Sequence, residues 1–128
     1  MEKVISGIIY NTNSKIDEIL FVKKFKGDFW ILPGGKKEEG ESNLETLSRE
    51  LNEEIDVNLK NARKIGKIYG KTPYSNKECE VTLYLAEISG KPSPKKEISE
   101  AQYFNDQYNV SELTRKALEL LNRNYSRQ

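Results

Sequence analysis

Three glutamates, Glu50, Glu53 and Glu54, stand at i, i+3 and i+4, the spacing that lines side chains up along one helix face. Carboxylates crowded this way repel by about 0.2–0.5 kcal/mol per pair on an isolated helix. A sequence shaped only for helix stability would interleave lysines, and this one does not. An all-oxygen group of this kind suits a hard divalent cation such as Mg²⁺, which keeps several waters and completes its octahedron with phosphate oxygens. Just upstream, Pro33-Gly34-Gly35 reads as a tight loop poor in side chains, followed by Lys36. Glycines let backbone approach a ligand closely, and a lysine supplies a point charge for phosphate. Together these residues indicate metal-assisted chemistry on a phosphate ester or anhydride.

Composition removes the main competitors. The 128 residues include no histidine and a single cysteine, Cys79. Ser-His-Asp and Cys-His catalysis, Cys/His zinc sites and an intrachain disulfide are therefore excluded. Net charge is +1, yet residues 36–56 carry −5 and the remainder +6. An acidic centre thus sits in a mildly basic body. No run approaches the ~20 apolar residues of a spanning helix, and residues 1–10 lack the pattern of a secretory signal. A cytoplasmic protein that binds no membrane is expected, folded as one domain over residues 1–128. Cys79 alternates with Val81, Leu83 and Leu85, so it reads as a buried, inert thiol.

The elements that must position the acidic centre can be read from periodicity. Apolar, β-branched runs predict strands over residues 4–10, 19–25, 29–32, 65–69, 79–88 and 101–104. Several are continuous rather than alternating, as in strands covered on both faces. A helix is predicted from Ser42 to about residue 55, opened by the capping box Ser42-x-x-Glu45. On its wheel Leu44, Leu47, Leu51 and Ile55 share an apolar face beside the three glutamates. A second helix starts near Ser111, with Leu113, Ala117, Leu120 and Leu121 as its stripe. Residues 122–128 read as a polar, frayed tail. This order predicts an α/β fold: an α/β/α sandwich with a mixed sheet, a loop–helix carrying the chemistry and a C-terminal helix.

Taken as a whole, Gly35-x5-Glu41-x7-Arg49-Glu50-Leu51-x-Glu53-Glu54-x-Asp56-Val57 resembles the Nudix box, G-x5-E-x7-R-E-U-x-E-E-x-G-U, where U is a bulky apolar residue. Only Asp56 departs from it, standing where the family has glycine at the helix exit. Asp tolerates the left-handed conformation common there better than most residues. Trp30-Ile31-Leu32-Pro33-Gly34-Gly35 resembles the family's lead-in, and residues 97–104 resemble its late strand.

The resemblance, which is to small MutT-like members, implies hydrolysis of a nucleoside diphosphate linked to another moiety, by attack of water at phosphorus. It implies that Glu50, Glu53 and Glu54 bind Mg²⁺ or Mn²⁺, with Glu54 as the central ligand and a backbone contribution from Gly35. Arg49 would orient the carboxylates, and Glu41 would support the loop–helix junction. Without histidine the general base must be a carboxylate: Glu50, Glu53, or a later acid, Glu97 or Glu100. Lys36, Lys23 and Lys24 are candidates for holding non-reacting phosphates, with Lys36 favoured because it adjoins the loop. Gly34, Trp30 and Tyr74 are further candidates for contacting substrate. Pro73 and Tyr74 occupy positions that in this family accompany ADP-ribose and dinucleoside polyphosphate hydrolysis respectively, and so point in both directions. A nucleoside triphosphate fits equally. Two alternatives stand beside a small-nucleotide hydrolase: a pyrophosphohydrolase of RNA 5′ ends, and a non-catalytic nucleotide-binding module. Monomer and homodimer are both compatible with the sequence.

Overall fold

The computed structural model describes residues 1–107 and 109–124, the last of these by its backbone. Six strands and two helices follow in the order β1 (Glu2–Ile8), β2 (Ile19–Lys24), β3 (Gly34–Lys36), α1 (Asn43–Ile55), β4 (Asn58–Lys71), β5 (Glu78–Ser89), β6 (Ile98–Phe104) and α2 (Glu112–Asn124). One sheet runs β3-β1-β5-β4, and a second pairs β2 with β6. β1 and β5 are parallel, and every other strand pair is antiparallel, so the larger sheet is mixed as expected.

Alternate residues of the central strands feed two cores. Ile5 of β1 and Tyr84 and Ala86 of β5 pack with Leu47, Leu51 and Ile55 of α1. Ile8, Val81 and Leu83 pack on the other side with Ala117 and Leu121 of α2. Such double coverage is why these strands read as continuous apolar runs. Cys79 is buried in the α2-side core, as its alternation indicated. Two glycines let α2 settle onto β4. A Cβ at Gly70 would lie 2.8 Å from Leu113 Cδ2, and one at Gly66 would lie 3.1 Å from Leu120 Cδ2.

Several boundaries differ from expectation for identifiable reasons. Residues 29–32 form only isolated bridges, Val22 with Ile31 and Trp30 with Val110; Pro33 follows and has no N–H for a ladder. The glycine stretch read as a loop is instead strand β3, with Ile5 opposite Gly35 and Ser6 opposite Gly34. β4 extends far beyond residues 65–69, because its polar outer half pairs along a sheet edge where lysines are tolerated. Leu44 is 44% exposed, since α1 becomes buried only from Thr46 onward. Residues 122–124, expected to fray, continue α2. Residues 125–128 of that expected tail lie outside the described residues. No helix of the described residues is long and apolar enough to cross a membrane.

Candidate active site

α1 is started by a complete capping box. The Ser42 hydroxyl accepts from the Glu45 amide at 3.1 Å, and the Glu45 carboxylate accepts from the Ser42 amide at 2.8 Å. Burial of Leu47, Leu51 and Ile55 then fixes the helix rotation, and with it the direction of Glu50, Glu53 and Glu54. Each such aliphatic side chain contributes roughly 1.5–3 kcal/mol when fully buried. The helix ends at Asp56, which adopts the left-handed conformation (φ 58°, ψ 40°) and donates its N–H to the Asn52 carbonyl at 3.1 Å.

Arg49 is the hub of the exposed side. Its Nε donates to Glu41 Oε2 at 2.7 Å, and Nη1 donates to Glu50 Oε1 at 2.9 Å and Glu53 Oε1 at 3.1 Å. Nη2 donates to Glu41 Oε1 and to the Lys36 carbonyl, each at 3.1 Å. Glu41 also accepts from the Glu38 amide at 3.0 Å and the Thr46 hydroxyl at 2.8 Å, which pins the approach to the helix. The Arg49 guanidinium, followed by the Glu38 amide, holds the Glu41 carboxyl down at about 2. Glu53 is likewise lowered, first by Arg49 and then by Lys96, whose Nζ lies 3.5 Å away.

Glu50 and Glu54 behave oppositely. Glu54 is only 4% exposed and makes no ion pair; the Gly34 amide donates to its Oε1 at 3.1 Å. Burial pushes its carboxyl up to about 8, with the charges of Glu50 and Glu97 adding, while the Gly34 amide and Lys24 oppose the rise. Glu50 is raised too, chiefly by burial against the counteracting Arg49, with Glu53 and Glu97 adding. β3 makes this crowding feasible. At Gly35 a Cβ would stand 2.4 Å from Glu50 Cδ, so only glycine lets that carboxylate lie against the backbone. At Gly34, with φ 145°, a Cβ would stand 2.1 Å from the Ile5 carbonyl oxygen.

Residues 90–97 strap the end of α1 to this centre. The Ser93 amide donates to the Ile55 carbonyl and the Lys95 amide to the Glu54 carbonyl, both at 2.9 Å. These bonds satisfy carbonyls that a helix terminus leaves open. Two residues later Glu97 faces Glu50 and Glu54 closely enough for its charge to raise both. The strap's role, and the part of Lys95 and Lys96 in it, escaped sequence reasoning because the contacts are backbone amides some forty residues from their acceptors.

A family model, NUDIX domain, matches residues 2–126. The chain belongs to the NUDIX domain family. Its fold is shared by the MutT NUDIX hydrolase from Burkholderia pseudomallei, with a TM-score of 0.81 at 22% identity, covering 94% of this chain and 97% of that one. The NUDIX domain of Shewanella oneidensis NrtR, solved in complex with ADP ribose, superposes with a TM-score of 0.77 at 15% identity, covering 97% and 88%. A stretch of 67 residues is 44% identical to an RNA pyrophosphohydrolase of Ruthia magnifica subsp. Calyptogena magnifica, covering 52% of this chain. That match spans only 34% of the relative's length.

NUDIX hydrolases generally use divalent metal ions, and the residues here fit one. The donors are all oxygen, and buried Glu54 lacks a cationic partner while two further carboxylates press on it. No three carboxylate or thiol side chains among the described residues form a closed metal cage. The convergence expected of three glutamates is realised for Glu50 and Glu54, whereas Glu53 is drawn aside by Arg49 and Lys96.

The remaining candidates divide. Tyr74 reaches the region on the hairpin tip between β4 and β5, 43% exposed and packed at 5.4 Å against Phe29. Trp30 does not serve as an open stacking surface: it is 7% exposed, sits edge-on to Phe104 and belongs to the α2-side core. Gly34 spends its amide on Glu54. Lys36 points outward, 67% exposed, with Nζ 3.9 Å from Glu2. Glu100 is turned to Lys23 at 3.7 Å, which separates it from Glu97.

Beside Gly34 a cavity of about 110 Å³ opens under α2, lined by Ser6, Leu83, Thr114, Ala117, Thr72 and Pro73 among others. It is mainly apolar with a few hydroxyls, the character of a small-molecule pocket.

Proposed function

We propose that the chain, acting as a single domain, is a metal-dependent hydrolase that cleaves a phosphoanhydride in a nucleoside diphosphate linked to another moiety. The observation that carries this reading is the buried Glu54 carboxylate, held by the Gly34 amide among Glu50 and Glu97 and lacking a positive partner. A site assembled to concentrate negative charge needs a divalent cation, Mg²⁺ or Mn²⁺, held by Glu50, Glu53 and Glu54. When bound, that ion supplies the charge that polarises a phosphate and acidifies water.

The chain's own residues supply the rest. Arg49 keeps Glu50 and Glu53 oriented, and the strap through Lys95 sets Glu97 opposite them. Glu97 takes the proton as water adds to phosphorus and the bridging P–O bond breaks, leaving two phosphorylated products. Glu100 and Glu53 are engaged by cations, which leaves Glu97 the freer base. The cavity beside Gly34 receives the nucleoside.

The test is a screen of nucleoside triphosphates, ADP-ribose and dinucleoside polyphosphates with Mg²⁺ or Mn²⁺, run beside Glu54→Gln. Turnover by the wild type that collapses in Glu54→Gln supports the reading; absent turnover, or turnover indifferent to the substitution, overturns it. The likeness to an RNA pyrophosphohydrolase favours a second reading, in which the anhydride lies at an RNA 5′ end. Activity on triphosphorylated RNA would fall steeply with salt as phosphate contacts are screened, whereas activity on a mononucleotide would fall gently.

A further inference from the structure

The cations around the acidic centre are almost all committed. Arg49 pairs with Glu41, Glu50 and Glu53. Lys23 pairs with Glu100, Lys36 with Glu2, Lys95 with Asp56 and Lys96 with Glu53. Lys24 differs. Among the described residues it forms no ion pair, although its charge acts on Glu54. Its Nζ instead lies 4.6 Å from the centroid of the Tyr74 ring. An aromatic face attracts an ammonium through its quadrupole without neutralising it, so the cation stays available to an anion.

Local structure holds both partners in place. The register between β2 and β6 shifts between Lys23 and Lys24, where Lys23 faces Glu100 and Lys24 faces Ile98. Irregularities of this kind re-aim side chains. The turn after β2 is closed by the Gly27 amide on the Lys24 carbonyl at 2.9 Å. A Cβ at Gly27 would stand 2.2 Å from the Tyr74 hydroxyl, so the glycine makes room for the ring. From the other side, residues 72–77 are tied by the Thr72 amide on the Lys77 carbonyl and the Asn76 amide on the Thr72 carbonyl, both at 2.9 Å. Thr72 and Pro73 line the same cavity as Gly34, whose amide holds Glu54. The hairpin tip therefore borders the cavity at the mouth where Lys24 waits.

We propose that Lys24 binds a substrate phosphate neighbouring the one attacked, and that Tyr74 is the positioning residue that keeps the Lys24 ammonium there. This rests on the hydrolase reading above and moves the phosphate contact from Lys36, which points away, to Lys24. A group that grips a phosphate not undergoing reaction acts on substrate binding, so its loss raises KM and leaves kcat little changed.

The test is calorimetric titration with ADP and GDP in the presence of Mg²⁺, read on whichever nucleotide the wild type binds more tightly. Lys24→Gln is expected to weaken binding about tenfold, as loss of a charged hydrogen bond does, and Lys24→Arg to restore it. Tyr74→Leu is expected to weaken binding comparably, Tyr74→Phe to match the wild type, and the Lys24→Gln/Tyr74→Leu pair to be no worse than Lys24→Gln alone. The same variants on the hydrolysed substrate should raise KM at near-constant kcat. Unchanged affinity in Lys24→Gln overturns the assignment while leaving the hydrolase reading standing. A Tyr74→Phe variant as weak as Tyr74→Leu overturns the positioning role, because the ring remains. A wild-type chain that binds neither nucleotide overturns both readings.

Discussion

The Gly34 amide reaches across from β3 to donate to Glu54 Oε1 at 3.1 Å, joining a backbone strand to a carboxylate buried at the end of α1. One hydrogen bond does not offset the burial, and the Glu54 carboxyl sits at about 8 against an ordinary 4.5. The folded chain therefore holds this proton more tightly than the unfolded chain between those values. Stability of the metal-free protein falls as pH rises from 4.5 towards 8, because folding must then either retain the proton or bury the charge. We expect a melting temperature in EDTA that declines over this interval. Glu54→Gln should flatten the decline and raise stability at pH 8 by roughly 1–4 kcal/mol, while lowering turnover at least about a hundredfold. Melting curves at pH 5 and pH 8 for both proteins check it; equal slopes would refute it.

Arg49 makes the opposite contribution to the pH profile. By holding the Glu41 carboxyl at about 2 it adds stability that is present above 4.5 and lost as pH falls towards 2. The same guanidinium positions Glu50 and Glu53 through a fork that lysine cannot reproduce. Arg49→Lys should therefore reduce metal affinity or turnover by roughly 10–100-fold, the usual consequence of losing a partner that orients ligands. It should also shift the acid unfolding midpoint upward. Metal titration and an acid melt on the variant test the two effects separately.

The paired glycines of β3 should separate under substitution. Gly34→Ala drives a Cβ into the Ile5 carbonyl at 2.1 Å and imposes a φ of 145° on an L-residue, so it should destabilise the fold by several kcal/mol. Gly35→Ala meets instead the Glu50 carboxyl at 2.4 Å, the far end of a side chain that can swing away. It should leave the melting temperature nearly intact and cost activity. Thermal melts paired with kinetics distinguish them, and equal loss of stability in both would contradict the argument.

The same two glycines show where sequence reasoning stopped. Gly34 and Gly35 carry no side chains to alternate, so a strand held by backbone pairing with β1 looked like a loop. α1 was legible because its start, its buried face and its exit each depend on side chains: the Ser42–Glu45 box, Leu47 with Leu51 and Ile55, and Asp56. The placing of Glu97 was not, since it follows from amides of residues 93 and 95 meeting carbonyls of Ile55 and Glu54. Trp30 could have stacked on a base or filled a core, and only its contact with Phe104 decides between them.

Asp56 occupies the one box position that departs from the family pattern, and its left-handed conformation costs an aspartate more than a glycine. Its carboxylate recovers part of that cost by lying 3.4 Å from Lys95 Nζ, which also donates to the Asn52 carbonyl. Both side chains of this pair are well exposed, so the pair itself contributes little, about 0–1 kcal/mol. Relief of backbone strain should win. Asp56→Gly is expected to stabilise the chain by about 0–1 kcal/mol with turnover unchanged, because the Lys95 amide still holds the Glu54 carbonyl. Asp56→Asn keeps the tolerance for this conformation and removes only the charge, so it should be neutral or slightly destabilising. Denaturant melts of the two variants decide the balance: a destabilised Asp56→Gly would show that the Lys95 contact outweighs the strain.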